Sequence, residues 1–298
     1  MFRSPMFCWP LLALMTFGCG YSRQGGGRPG PGSVDMARAG TDGLDPIVDC
    51  PAEAKLVYVI DQNNTFSSFD PQSQVFKDLG VLDCPSQAQA TPFSMTVDRS
   101  GTAWVLYSSG ELFRVPTLTL ACTKTTWTAQ LGLETFGMGF ATNAANSSDE
   151  KLYIAGGAID PNTGMLSTTS TLASLDTNLF VATKIGEVTG WPELTGTGDA
   201  KLWAFFPDET SPRVSSLDRG DGAESTAFNT ITLAGQPAAW AFAAWGGSFW
   251  IFLQRGGEPD TTVWKLDGMT GMLTPVRRNT SRIIVGAGVS TCAPVTIP

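Results

Sequence analysis

The sequence predicts an all-β domain, a five-bladed β-propeller whose blades are four-stranded antiparallel sheets, and two observations lead to this prediction. The first is a strand–turn–strand phrase that recurs with an aromatic residue at one fixed place, namely at Tyr58, Trp104, Tyr153, Trp203 and Trp250. Successive aromatics lie 46 to 50 residues apart, and a fixed period of this size with several short strands per unit is typical of propeller blades. The second is a strand-like segment, residues 283–289, that remains unpaired at the C-terminal end.

The clearest copy of the repeat spans residues 94–116 and defines the order of strands within a blade. Residues 94–97 form the inner strand, and Asp98 caps a tight turn that leads into the second strand, which carries Trp104. A third strand follows at residues 112–116. Inner strands of this kind are predicted at 94–97, 137–141, 194–198 and 239–243, and outer strands at 75–79, 180–185 and 229–233.

The first copy lacks an inner strand, and residues 283–289 can supply it from the other end of the chain. A C-terminal strand that joins blade one closes the ring and leaves only short sheet edges. The inner strands are rich in Gly and Ala, which suits the crowded axis of a small ring. The five repeated aromatics are interpreted as packing between twisted blades rather than as ligand contacts.

The front of the chain has the organisation of an export signal and a tether. Residues 1–18 contain Arg3 and then an apolar run, as in a signal peptide. The four residues that end at Cys19 resemble the bacterial lipobox, which implies lipidation of Cys19, although Thr16 stands where that family usually has Leu; ordinary signal-peptidase cleavage is the alternative. Residues 19–47, rich in Gly and Pro, are expected to be a disordered tether, and residues 48–298 form the propeller domain.

Four cysteines remain in the domain, and four cysteines allow three pairings. Export favours disulfides. Cys292 ends the inner strand of blade one where Cys50 leads into the second strand, so a Cys50–Cys292 bridge would replace the missing turn. A Cys84–Cys122 bridge follows by elimination only, because the strand order places Cys84 at one face of the ring and Cys122 nearer the other.

Composition excludes several classes of activity. The 298 residues contain no histidine, which removes Ser-His-Asp triads, His-ligated zinc and the usual neutral general base. We find no nucleotide-binding or calcium-binding motif, and we predict no catalytic residues, no metal and no cofactor. A net charge of −8 argues against nucleic acid as a partner. Carboxylate-based glycoside hydrolysis stays open as an alternative, with Glu134 and Glu193 beside the expected axial mouth.

Candidate binding residues lie on the face that carries the outer-to-inner connections, which we call the top. The entrances of the inner strands there carry four aromatic residues, Phe93, Phe136, Trp191 and Trp240. The turns between second and third strands carry four carboxylates, Asp61, Asp160, Asp208 and Asp260. These sets predict an apolar mouth inside an acidic collar that binds a ligand; solvated loop charge and hydrophobic caps are the alternative interpretation.

The phrase at residues 98–104 and its repeats resemble the WD40-like and quinoprotein-like β-propeller superfamily. Three further segments, residues 82–85, 94–99 and 136–140, resemble a group of uncharacterised bacterial propeller lipoproteins. The resemblance covers residues 48–298, implies the fold and carries no known activity. No motif matches the cofactor ligands of true quinoproteins, so no cofactor is implied.

These observations together predict a monomeric, exported, lipid-anchored propeller that acts as a non-catalytic binding or scaffold module. The expected partner is a protein or a glycan at the cell envelope, and the membrane is contacted through the lipid anchor only. The expected location is the outer membrane or cell surface, with the periplasm as an alternative. A carbohydrate-active hydrolase and a purely structural envelope component are the competing functions.

Overall fold

The computed structural model describes residues 50–145, 147–160, 162 and 167–296. These residues form five four-stranded sheets in which every paired neighbour is antiparallel. The predicted five-bladed β-propeller is therefore confirmed. The predicted signal peptide, Cys19 and the tether lie outside the described residues.

Each blade runs from an inner strand at the axis to an outer strand at the surface. In that direction, blade one contains β20 (Ile284–Gly288), β1 (Val57–Asp61), β2 (Thr65–Asp70) and β3 (Val75–Val81), and blade two contains β4 (Pro92–Val97), β5 (Thr102–Tyr107), β6 (Leu112–Pro116) and β7 (Thr123–Lys124). Blade three contains β8 (Thr135–Thr142), β9 (Glu150–Gly157), β10 (Thr169–Leu175) and β11 (Ala182–Thr189). Blade four contains β12 (Glu193–Gly196), β13 (Leu202–Phe206), β14 (Arg213–Leu217) and β15 (Glu224–Asn229), and blade five contains β16 (Pro237–Trp245), β17 (Ser248–Arg255), β18 (Thr262–Asp267) and β19 (Leu273–Arg277). Two short 3₁₀ helices span Ala52–Lys55 and Ile231–Leu233.

The ring closes through the last strand of the chain, as predicted. β20 pairs with β1, with Val59 opposite Ala287. The five inner strands contact one another in the cyclic order β20, β4, β8, β12 and β16. They approach closely because glycine lines the contact: a Cβ on Gly137 would lie 2.3 Å from the Pro192 carbonyl oxygen, and one on Gly196 would lie 2.1 Å from that of Phe140. Any larger residue at these positions would push neighbouring backbones apart.

The outer strand of blade four is not where the sequence predicted it. Residues 229–233 alternate like a strand, but β15 ends at Asn229 and the following residues form a 3₁₀ helix. The helix places Leu233, 1% exposed, in the core cluster that also holds Phe205 and Trp264. Burial of Leu233 there competes with further strand pairing, and strand propensity alone does not register that competition.

The repeated aromatics pack between blades, as predicted. The ring centroids of Trp203 and Phe249 lie 4.7 Å apart across blades four and five. Trp104 meets Phe140 of blade three at 6.0 Å, and Trp250 of blade five meets a phenylalanine of blade one at 5.4 Å. Such tilted aromatic pairs contribute beyond the area that they bury.

Asp98 caps its turn and also anchors the blade aromatic. Its Oδ1 accepts the backbone N–H groups of Ser100 and Thr102 at 2.9 and 3.0 Å. Its Oδ2 accepts the indole N–H of Trp104 at 2.9 Å. One carboxylate therefore fixes both the turn geometry and the orientation of the ring that packs against blade three.

Both disulfides are present. Cys50 and Cys292 have Cα atoms 5.8 Å apart and join the entry of blade one to the end of the C-terminal strand. Cys84 and Cys122 have Cα atoms 5.0 Å apart, although the strand order had placed them toward opposite faces. The outer strand β7 has only two residues and pairs Thr123 with Arg114 in the middle of β6. Cys122 precedes β7 and so stands partway up the blade, beside the chain that leaves β3.

Candidate functional site

A cavity of about 240 Å³ lies at the top of the propeller axis. All five blades contribute residues to its wall, and three of its side chains are aromatic: Phe93 of β4, Trp191 before β12, and Trp240 of β16. We call this cavity the mouth. Phe93 and Trp240 are partly buried, whereas Trp191 is buried. Three of the four predicted aromatics therefore come together from blades that are far apart in sequence.

Phe136 does not line the mouth and is a correction to the predicted set. Its side chain is fully buried and packs edge-on against Trp127, with centroids 5.6 Å apart. The physical reason is strand alternation: its neighbour Gly137 lines the mouth, so Phe136 points to the opposite side of β8. Phe93 reaches the mouth because the ladder between β4 and β5 is irregular between Pro92 and Ser94, and a bulge re-aims a side chain.

Glu193 is the acidic residue of the mouth, and it is buried at 3% exposure. Its Oε1 accepts the Ser94 hydroxyl at 2.5 Å and the backbone N–H of Met138 at 3.4 Å. Burial raises the pKa of Glu193 well above its ordinary value, while these two hydrogen bonds oppose that shift. The structure gives its Oε2 no hydrogen bond from any residue that it describes. The sequence had placed Glu193 beside the mouth but had not included it among the binding residues.

Glu134, the other acid near the predicted mouth, lies elsewhere. It lines a cavity of about 550 Å³ between blades two and three, together with Glu111 and Lys124. The Lys124 ammonium bonds Glu111 at 2.5 Å. Burial opposes ionisation of Glu111, but hydrogen bonds from Lys124, Ser109 and the Gln87 N–H outweigh it and lower the pKa of Glu111 to about 2. Glu134 and Glu193 therefore do not face each other across one cavity, as an acid and base pair would need to.

The four collar carboxylates each bond a loop backbone. Asp61 is buried and accepts the N–H groups of Asn63 and Thr65, both at 2.8 Å. Asp208 accepts those of Thr210 and Ser211 at 2.8 and 2.9 Å, and these bonds lower its pKa.

Asp160 and Asp260 also accept backbone N–H groups, Asp160 from its own loop and Asp260 from a loop 21 residues further along the chain. Asp160 Oδ1 accepts the Asn162 N–H, and Asp260 Oδ2 accepts the Ser281 N–H, each at 2.8 Å. Asp61, Asp160 and Asp208 are turn-forming aspartates, whereas Asp260 holds a distant loop through Ser281. None of the four lines the mouth.

The top rim is mixed in charge rather than uniformly acidic. Arg255 pairs with Glu258 at 2.6 Å, and Arg282 pairs with Asp78 at 2.8 Å. Arg278 lies over the Trp264 ring at 5.6 Å. The rim that was predicted to be acidic therefore also carries arginines, at residues 255, 278 and 282, although the ion pairs that Arg255 and Arg282 form are with Glu258 and Asp78 rather than with the four collar aspartates.

A further cavity, about 570 Å³, lies on the opposite face and was not anticipated. It runs between blades four and five beside the C-terminal segment and contains Trp203, Trp245, Phe249 and the highly exposed Met269. Lys201 and Asp199 form an ion pair at 3.0 Å on its wall. The only sequence signal for it is the aromatic pair that flanks the Gly246-Gly247 turn.

Metal ligation and membrane crossing are two further properties that the structure addresses. In the part of the chain that the structure describes, no group of three or more His, Cys, Asp or Glu residues could hold a metal ion. No helix among the described residues is long and apolar enough to cross a membrane.

Comparisons with known proteins give similarity in fold only. No family model matches the chain, and no curated protein matches it either. Among solved structures, the chain is similar to one in a crystal structure of a nidogen/laminin complex, at 10% identity and TM-score 0.47, covering 81% of this chain and 99% of that one. It is similar to TolB from Acinetobacter baumannii at 13% identity and TM-score 0.46, covering 78% of this chain and 56% of TolB. A chain of a mitotic checkpoint complex matches at 13% identity and TM-score 0.38, over 74% of this chain and 60% of that one.

Proposed function

We propose that this protein is a non-catalytic binding module of the cell envelope that uses the mouth to hold a protein or a glycan. The observation that supports this best is the mouth itself, in which three aromatic side chains from three blades surround a buried polar group. Concave, mostly apolar cavities with a few convergent polar groups are the usual form of binding sites. A propeller axis plugged by side chains would instead have favoured a purely structural component.

The second part of the proposal is export with a lipid on Cys19. It is supported by Arg3 and the apolar run that precedes Cys19, and by two disulfides in the described domain. Disulfides persist in oxidising compartments. Metabolic labelling with an alkyne fatty acid tests the anchor: we expect labelled protein that is lost in Cys19→Ser, and equal labelling of the variant would remove the anchor from the proposal.

The binding site is tested by screening the full chain against glycans and envelope proteins. The variant carries Trp191→Ala and Trp240→Ala, and the matched control carries Trp245→Ala, a partly buried tryptophan on the opposite face. We expect binding to be lost in the double variant and retained in the control, with thermal unfolding measured for both. Binding that survives the double variant would place the site outside the mouth.

A further inference from the structure

We propose that the mouth takes the ammonium group of a lysine side chain presented by a protein partner. This inference rests on the proposed function, because it names the chemistry that the same site would recognise. It is carried by three features of the mouth: an acid without a counter-charge, aromatic walls, and a volume that suits one side chain.

The first feature is the electrostatic isolation of Glu193. It is the one ionisable residue among the described residues that line the mouth. The packed strands β4, β8, β13, β16 and β20 contain no ionisable side chain within their bounds. β9 contributes Glu150, Lys151 and Tyr153, but these lie toward its opposite end, because Gly137 of the mouth pairs with Ala155. A buried carboxylate without a cation is costly, so a ligand that supplies one gains the corresponding interaction.

The second feature is the set of aromatic rings above this carboxyl group. Phe93, Trp191 and Trp240 line the same small cavity as Glu193. Aromatic faces attract ammonium groups, and the attraction strengthens when the site excludes water. The hydrocarbon stem of a lysine also packs well against aromatic surface while its charged end projects beyond. The aromatic rings therefore favour the hydrocarbon stem of a lysine side chain, and the carboxyl group favours its ammonium end.

The third feature is size. About 240 Å³ is below the usual range for cavities that enclose a whole drug-sized ligand. One long side chain fits such a space, whereas the rest of the partner protein would remain above the rim. A neutral sugar would leave Glu193 without a counter-charge.

Binding of a cation should be linked to loss of a proton. Burial raises the pKa of the free Glu193 carboxyl group, and an ammonium group beside it would lower that pKa again. Lysine itself stays charged through the neutral range. Affinity should therefore increase as pH rises, by up to about tenfold per pH unit, until the free carboxyl group has ionised. A neutral ligand that accepts a hydrogen bond from the protonated acid would show the opposite trend.

The test uses the full chain labelled with 5-fluorotryptophan, with the Trp191 and Trp240 signals assigned from single Trp→Phe variants. The probes are a short glycine peptide with a central lysine, the same peptide with norleucine, and choline. We expect the lysine peptide to shift both signals and to bind at least about tenfold more tightly than the norleucine peptide near pH 8. Calorimetry in two buffers of different ionisation enthalpy, at a pH where the affinity is still rising, should show proton release from the unmodified protein.

Glu193→Gln keeps an oxygen that can accept from Ser94 and Met138 but removes the charge. We expect it to abolish the pH dependence and the preference for lysine over norleucine. Glu134→Gln, an exposed top-face acid outside the mouth, should change neither. The proton-release measurement does not depend on the folding of any variant.

Several outcomes would overturn the inference. Equal binding of the two peptides, affinity that falls with pH, or no proton release would exclude an ammonium site. Choline binding without lysine binding would exclude a protein-borne lysine. A glycan or envelope protein that shifts Trp191 and Trp240 without pH dependence would overturn the inference and leave the proposed function standing. If no ligand in either screen shifts the Trp191 and Trp240 signals, both the lysine inference and the proposed binding function fail.

Discussion

The Cys50–Cys292 disulfide should contribute more to stability than the Cys84–Cys122 disulfide. The first bridge joins residues 242 apart in sequence and the second joins residues 38 apart. In the chain-entropy model, closing loops of these lengths stabilises the folded state by about 5.5 and about 4 kcal/mol respectively. The first bridge also fastens the strand that closes the ring, because Cys292 follows β20 closely and Cys50 precedes β1.

The perturbation is a pair of double variants, Cys50→Ala with Cys292→Ala, and Cys84→Ala with Cys122→Ala. Each removes two sulfur atoms; Cys292 is buried whereas the other three cysteines are partly buried, so the first variant also loses somewhat more packing. Guanidinium unfolding followed by tryptophan fluorescence gives the free energy of unfolding of each. For a domain of this size, the loss of about 5.5 kcal/mol corresponds to a fall in Tm of about 10 to 20 °C. A larger loss of unfolding free energy in the Cys84/Cys122 variant would refute the prediction that the bridge closing the longer loop contributes more to stability.

Three further predictions concern single residues. Burial raises the pKa of Glu150 from 4.5 to about 7, so the folded state binds the Glu150 proton more tightly than the unfolded state does. We therefore expect the free energy of unfolding to fall by about 3 kcal/mol as pH rises from about 4.5 to 7. In urea unfolding, Glu150→Gln should show a flatter dependence of stability on pH. Asp98→Ala leaves two backbone N–H groups and the Trp104 indole without their acceptor. We expect it to lower the free energy of unfolding in urea by about 1–3 kcal/mol. An unchanged unfolding midpoint would contradict the anchoring role. Gly137→Ala should lower Tm much more than Gly256→Ala, whose Cβ would meet its nearest neighbour at 3.8 Å; equal shifts would mean that the axis can expand.

The repeat period and the C-terminal strand were enough to predict the fold, because each blade repeats the same local pattern. A period of 46 to 50 residues leaves room for four short strands, and Gly at the inner positions reports crowding at the axis. The Cys50–Cys292 bridge followed from the missing turn of blade one. These features are local or depend on chain order alone, so the sequence carries them.

The identity of the mouth residues required the tertiary structure. Phe136 and Gly137 are adjacent, and only the orientation of β8 decides that the glycine faces the axis while the phenylalanine enters the core. Phe93 reaches the mouth because the pairing of β4 with β5 is irregular there, and no sequence pattern predicts that irregularity. The Cys84–Cys122 bridge likewise depends on how short β7 is. Side-chain direction and strand length are set by packing between neighbours distant in sequence, which is why periodicity predicted the blades but not the composition of the site.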